Sequence, residues 1–212
     1  GADAVVQREV NDGFGSAASA GFASVAARQP ALPDDVVRWV WLLHDDSAPD
    51  LTCLERLLQA ADEHPSADVL GPKILGWHDR RLLLEVGVSI DGDGRRVTGL
   101  EQREHDQGQH DGVRDVLAVS SAGMLIRQDV WEELAGFDPH LPLYRDDVDF
   151  CWRVPRAGGR VLVAADAVLH HRETSAHGRR QVRDGNARQH RADREAAIRV
   201  LLTHATTVGM FF

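Results

Sequence analysis

The spacing of apolar and polar positions changes several times along the chain, and each change predicts an element. A short β-like run, Ala4-Val5-Val6, is broken at Asn11-Asp12-Gly13-Phe14-Gly15, and the small residues from Ser16 to Ala27 predict a helix packed close to a sheet. Val36 to Leu43 is an almost continuous apolar run (VVRWVWLL), the pattern of a parallel strand buried on both faces. It stops at His44-Asp45-Asp46-Ser47-Ala48-Pro49. Asp50 can then cap a helix in which Leu51, Leu54, Leu57, Leu58 and Ala61 share one face. A strand around Val69-Leu70 completes a strand–helix–strand unit, the building block of an open α/β sheet.

From about residue 71 to 115 the pattern is different. Leu82 to Ile90 predicts a strand, and Asp91-Gly92-Asp93-Gly94 is a turn leading to a second strand near Val97. The polar, His- and Asp-rich stretch His105 to Asp115 reads as a surface loop. Val116–Val119 and Met124–Ile126 are strand-like, a short helix spans Asp129 to Leu134, and Gly136-Phe137-Asp138-Pro139 is a turn. A helix is expected from Asp146 to Arg156, with Pro155 disturbing its last turn because proline lacks the N–H donor. Two short strands follow, Val161–Val163 and Ala167–Leu169, the second closed by His170-His171. Arg179 to Arg194 is charged, Glu195 to Leu202 reads as an amphipathic helix, and the chain ends in apolar Val208–Phe212.

Composition narrows the class of protein. Over 212 residues, 43% are hydrophobic and 27% charged, enough apolar content to build a real core. The net charge of -9 disfavours sequence-independent nucleic-acid binding, which needs a basic footprint. Lys73 is the only lysine. Cys53 and Cys151 are too few for a disulfide framework, and no apolar run approaches the ~20 residues of a membrane span. These features predict a soluble, cytoplasmic domain.

Four constellations could carry chemistry. Asp45 and Asp46 follow an apolar strand, where open α/β sheets bind ligands, and could hold a divalent cation against a diphosphate; the alternative is a helix N-cap. Asp146-Asp147-Val148-Asp149 opens a helix, whose positive end favours acids. Crowding there also raises at least one carboxyl, which suits a general base. His170-His171 at a strand end is either structural or metal-ligating. Asn11–Gly15 could bring backbone N–H groups to a phosphate or ribose. It carries no phosphate-loop lysine, and a nucleotidyltransferase is disfavoured for that reason.

In this order the four elements resemble family 2 glycosyltransferases of the GT-A fold. Asn11-Asp12-Gly13-Phe14-Gly15 with Ala17 and Gly21 is similar to that family's N-x-G-F-x-x-A segment, and Leu42-Leu43-His44-Asp45-Asp46 to its D-x-D strand end. Ser121-Ala122-Gly123-Met124-Leu125-Ile126-Arg127 and Gly136-Phe137-Asp138 resemble its acceptor-side strand and G-F-D turn. Arg145-Asp146-Asp147-Val148-Asp149, with Arg153 and Gly158, resembles its E-D-x-D helix. Ala167-Val168-Leu169-His170 resembles the strand whose His completes the metal site. The stretch from Gly71 to Gly87 is similar to large actinobacterial, membrane-associated members.

The resemblance implies an α/β fold with a GT-A-like open mixed sheet flanked by helices, partial at its N-terminus, over residues 1–175. A charged connector and C-terminal helix would occupy 176–212. It implies an inverting enzyme that moves a sugar from a nucleoside-diphosphate sugar to a glycan or lipid-linked acceptor in cell-envelope polysaccharide synthesis, at the cytoplasmic face of the membrane. Asp46 and His170 would hold Mg²⁺ or Mn²⁺, with His171 as the alternative ligand. Asn11, Gly13 and Asp45 would lie on the donor side, Asp147 would act as base, and Gly123 and Asp146 would face the acceptor. Trp152 and the His105–Asp115 loop are weaker acceptor-side candidates. His44 departs from the family pattern by standing where the first Asp of the triplet is usual. A second departure is that family members open with a strand–helix–strand unit for the nucleotide base, which residues before Asn11 do not supply. The expectation is therefore a longer natural protein, with membrane-associated segments. A non-catalytic glycan- or nucleotide-binding domain is the alternative.

Overall fold

A computed structural model describes residues 3–30, 33, 36–172 and 186–204, with side chains of the last segment from residue 190. The order is α1 (Phe14–Ala26), β1 (Trp39–Trp41), β2 (Ser47–Pro49), α2 (Cys53–Glu63), β3 (Ala67–Gly76), β4 (Leu83–Glu85), β5 (Ser89–Ile90) and β6 (Arg96–Val97). Then come β7 (Val113–Asp115), β8 (Leu125–Arg127), α3 (Gln128–Glu133), α4 (Asp146–Arg153), β9 (Arg160–His171) and α5 (Asn186–His204). Seven strands form one mixed sheet, in the order β1-β8-β3-β9-β2, with β4 also on β3 and β7 also on β9. β5 and β6 form a separate hairpin.

β3 and β9 are the spine, and theirs is the one parallel pairing among the described strands. Both are apolar almost throughout because both faces are covered. Val69, Val161 and Val163 face a core shared with Trp131, Phe137, Val148 and Phe150. Leu70, Leu162 and Leu169 face the opposite way, against Cys53, Leu57 and Ala60 of α2.

Several elements differ from the expectations. Val36–Leu43 is not a buried parallel strand. Only Trp39–Trp41 is strand, at the sheet edge and antiparallel to β8, while Val36 and Val37 are exposed. Its Trp residues are half-buried, and Trp41 Nε1 donates to the Gly123 carbonyl. On α2 the buried stripe is Cys53, Leu57, Ala60 and Ala61, and Leu51, Leu54 and Leu58 are exposed. Small side chains at three of those four positions let the helix sit close to β9. Leu82–Ile90 is split at Gly87, whose φ of +77° suits glycine and where a Cβ would lie 2.4 Å from Val116. Ala4–Val6 and Val116–Val119 form no strand, although Ala118 bridges to Val88.

The two late strands are one. β9 runs unbroken for 12 residues, but its register against β3 jumps between Pro72↔Ala164 and Lys73↔Val168. The extra residues, Ala165 to Ala167, are a bulge, which explains the apparent break in the sequence. α4 stops at Arg153 and passes into a 3-10 turn at Val154–Ala157, as Pro155 requires. The expected C-terminal helix is α5, longer than expected at its start. Residues 173–185, including part of the charged connector, and Val208–Phe212 lie outside the described residues. No helix among the described residues is long and apolar enough to cross a membrane.

Candidate active site

β1 leads out of the sheet through Leu42 and His44, whose N–H groups donate to the Met124 and Ala122 carbonyls. A turn closed by Ser47 N–H on the His44 carbonyl carries Asp45 and Asp46 into β2. β2 pairs antiparallel with the end of β9, with Ser47 opposite His171. The Arg172 N–H also donates to the Asp46 carbonyl. Two segments more than 120 residues apart are thereby locked side by side.

His44, Asp46 and His171 converge there. One ligating atom from each lies within 4.8 Å of the others, and His171 Nε2 is 3.0 Å from Asp46 Oδ1. The two imidazole rings meet edge to face at 5.5 Å. Burial, followed by the charge of His171, holds the His44 imidazole below its ordinary value. The neutral imidazole is the form that ligates a metal. Ser121 Oγ lies 3.1 Å from His44 Nε2 and steadies the ring.

The expected partnership of Asp46 with His170 is not the one assembled. Adjacent residues of a strand point to opposite faces. His170 is buried on the other face, with Nδ1 3.3 Å from the Gly76 carbonyl and Nε2 3.2 Å from Asp50. Asp46 is joined instead by His171, the alternative ligand, and by His44, which stands at the start of the same turn. Asp45 is exposed.

α1 reaches this cluster through its first turn. Gly13 has a φ of +103°, and a Cβ there would lie 1.8 Å from the Pro142 carbonyl oxygen. Phe14 N–H donates to that same carbonyl, and the Phe14 ring packs edge-on to His44 at 4.6 Å. Asn11 is exposed and accepts the Gly13 N–H. Gly123 is buried where a Cβ would meet Pro72 and Leu169 at 2.8 Å, so its missing side chain serves sheet packing.

The acidic turn lies at the start of α4, after Arg145 in a left-handed conformation. Arg145 forks onto Asp193 of α5 at 2.7 and 2.9 Å and donates to the Gly94 carbonyl. Asp146, Asp147 and Asp149 are all buried, with different partners. Asp149 accepts from Arg153 and contacts His204 at 2.7 Å, which ties α4 to α5. Asp147 accepts the Val148 N–H and, at 2.9 Å, Arg96 from the β5–β6 hairpin. Asp146 accepts the Asp147 N–H. Burial first, and the charge of Asp147 second, push the Asp146 carboxyl up to about 7. The charge of Asp147 also acts on His44.

The weaker acceptor-side candidates have structural partners. Trp152 stacks on His204 at 4.9 Å. In the 105–115 loop His105 pairs with Asp79 and His110 with Glu104, while Asp106 and Asp111 both hold buried Lys73. Sequence reasoning missed Glu85 and Arg96, which no local motif flags, and did not give His44 a ligand role, because His44 lies in a turn that no strand periodicity describes.

A mixed sheet flanked by helices is the fold of GT-A glycosyltransferases. The sequence matches the glycosyltransferase-like family 2 over residues 3–192, and the chain belongs to that family. No curated protein matches it at a significant level. Among solved structures, it is similar in fold to GalNAc-T7 crystallised with UDP, GalNAc and Mn²⁺, with a TM-score of 0.59 and 12% identity. That likeness covers 92% of this chain and 35% of the other, so the chain spans about a third of that protein's length.

Proposed function

We propose that this glycosyltransferase domain moves a sugar from a nucleoside-diphosphate sugar to an acceptor hydroxyl with inversion, using Mn²⁺ in preference to Mg²⁺. The donor set fits such an ion. His44, Asp46 and His171 offer two imidazole nitrogens and one carboxylate within 4.8 Å of one another. Imidazole favours Mn²⁺ and later metals over Mg²⁺, which prefers an all-oxygen shell. Bound there, the ion would offset charge on a diphosphate leaving group.

The chain's own residues do the rest. Asp147 accepts the proton of the acceptor hydroxyl. The acceptor oxygen then bonds to the anomeric carbon on the face opposite the diphosphate, and the anomeric C–O bond breaks with its electron pair leaving on the diphosphate. Phe14, whose ring packs on His44, follows Gly13, and Asn11 accepts the Gly13 N–H, which supports a donor-side place for Asn11 and Gly13, with Asp45 beside them on that side. Asp146 borders the acceptor. A glycan or lipid-linked acceptor of the cell envelope is the acceptor class we propose.

The observation that carries this reading is the convergence of two imidazoles and a carboxylate, from His44, Asp46 and His171, in a chain that also buries three acids at the start of α4. The test is donor hydrolysis, with water in place of the acceptor, using UDP-, GDP- and dTDP-hexoses and Mn²⁺. Asp147→Asn should lower turnover by roughly 10²–10⁴-fold, the usual weight of a positioned base, with donor affinity kept. A second reading, with Asp146 as the base, is favoured by its raised carboxyl. Wild-type turnover in Asp147→Asn with loss in Asp146→Asn would establish it.

A further inference from the structure

The candidate base is held from outside its own helix. Arg96, on β6, sends Nη1 to Asp147 Oδ2 at 2.9 Å and Nη2 to Glu85 Oε2 at 2.8 Å. Glu85 ends β4, is buried, and accepts the Ser120 N–H on its other oxygen at 3.0 Å. A continuous strut thus runs from the Ser120 backbone through Glu85 and Arg96 to Asp147. Asp147 Oδ1 is fixed by the Val148 N–H at 2.8 Å. Both oxygens therefore have one set partner, and the carboxylate plane cannot rotate without breaking a charged hydrogen bond.

A fastening role alone would not require this arrangement. The hairpin is already attached to the body. Gly94 lies against Leu201 and Ala197 of α5, and its carbonyl accepts from Arg145. Asp149, the acid that joins α4 to α5, takes its guanidinium from Arg153 one turn along the same helix. Of the two, Asp147 takes its guanidinium from the hairpin, across 51 residues of chain.

We propose that Arg96 is a positioning residue for sugar transfer: held by Glu85, it supplies the counter-charge of Asp147 and aims its carboxylate at the hydroxyl to be deprotonated. This rests on Asp147 being the base. In the assay water loses a proton to Asp147, its oxygen bonds to the anomeric carbon, and the anomeric C–O bond to the nucleoside diphosphate breaks.

Hydrolysis of the UDP-hexose turned over fastest by the wild type, with Mn²⁺, tests it in Arg96→Ala, Arg96→Lys, Glu85→Gln and Asp147→Asn. Misaiming a catalytic group by about an ångström costs up to about 10²-fold. Arg96→Ala should accordingly lower kcat roughly 10–100-fold and leave KM within about twofold. Arg96→Lys should recover part of the loss, and so should millimolar guanidinium chloride added to Arg96→Ala, whereas Asp147→Asn should not respond to guanidinium. Glu85→Gln should lower kcat by less than Arg96→Ala. An inactive Asp147→Asn beside a fully active Arg96→Ala would overturn the positioning role and leave the base assignment intact. Full turnover by Asp147→Asn would overturn both. If Arg96→Ala does not fold, Arg96→Lys decides: wild-type kcat in a folded Lys variant would overturn the proposal, and a lowered kcat with KM kept would support it.

Discussion

Asp146 makes folding of this domain oppose its own ionisation. Its carboxyl lies on the buried first turn of α4, beside the charge of Asp147, and is pushed from the ordinary 3.8 up to about 7. Between those values the folded chain keeps a proton that the unfolded chain has lost. Stability therefore falls as pH rises through that window and levels off above it. The gap corresponds to at most about 4 kcal/mol at pH 8. Asp146→Asn keeps the oxygen that accepts the Asp147 N–H and removes the charge. It gives up about 0.3–1 kcal/mol of favourable interaction with the helix dipole. The expected net gain at pH 8 is about 2–3 kcal/mol, which for a domain of this size raises Tm by roughly 4–12 °C. Below pH 4 the two proteins should agree within about 0.5 kcal/mol. Differential scanning calorimetry at pH 4, 6 and 8 reads this directly. A wild type at least as stable as the variant at pH 8, or a difference that does not change with pH, would refute the reasoning.

Two further perturbations test how the site is held. Gly13→Ala forces a Cβ to 1.8 Å from the Pro142 carbonyl oxygen at a φ of +103°; it should cost more than about 3 kcal/mol in urea denaturation, and a loss under 1 kcal/mol would show that α1 is not seated there. His204 is buried between Asp149 and Arg156. His204→Leu should lower the urea midpoint by the equivalent of about 2–4 kcal/mol with the m-value unchanged, and an unaltered midpoint would show that α5 is not fastened to α4.

The sequence located pieces of the spine, around Val69-Leu70, at Val161–Val163 and at Ala167–Leu169, and the order of the chemical elements, because those signals are local. Apolar β3, the Asp91–Gly94 turn and the acid run at 146–149 each declare themselves within a few residues. What failed was burial and register. VVRWVWLL reads alike whether it lies in a sheet centre or along an edge, since half-buried Trp residues are as apolar as core ones. The leucines of α2 outweighed the small residues that actually touch the sheet. His170 and His171 could not be separated, because a shift of one residue exchanges the faces of a strand, and only the β2–β9 register settles which side each takes. Arg96 was hidden for a different reason: its partner is 51 residues away and no spacing rule connects them.

His44, Asp46 and His171 are proposed to form one divalent-cation site serving a nucleoside diphosphate. Titration calorimetry of UDP binding in the presence and absence of Mn²⁺ tests it, in the wild type and in His44→Ala, Asp46→Ala, His171→Ala and His170→Gln. Loss of a ligand should exceed the 10–100-fold typical of residues that only support one. The first three variants should lose Mn²⁺-dependent UDP affinity by at least about 10²-fold, while His170→Gln should stay within a few-fold of wild type. Unchanged Mn²⁺-dependent affinity in His171→Ala, with its loss in His170→Gln, would contradict it.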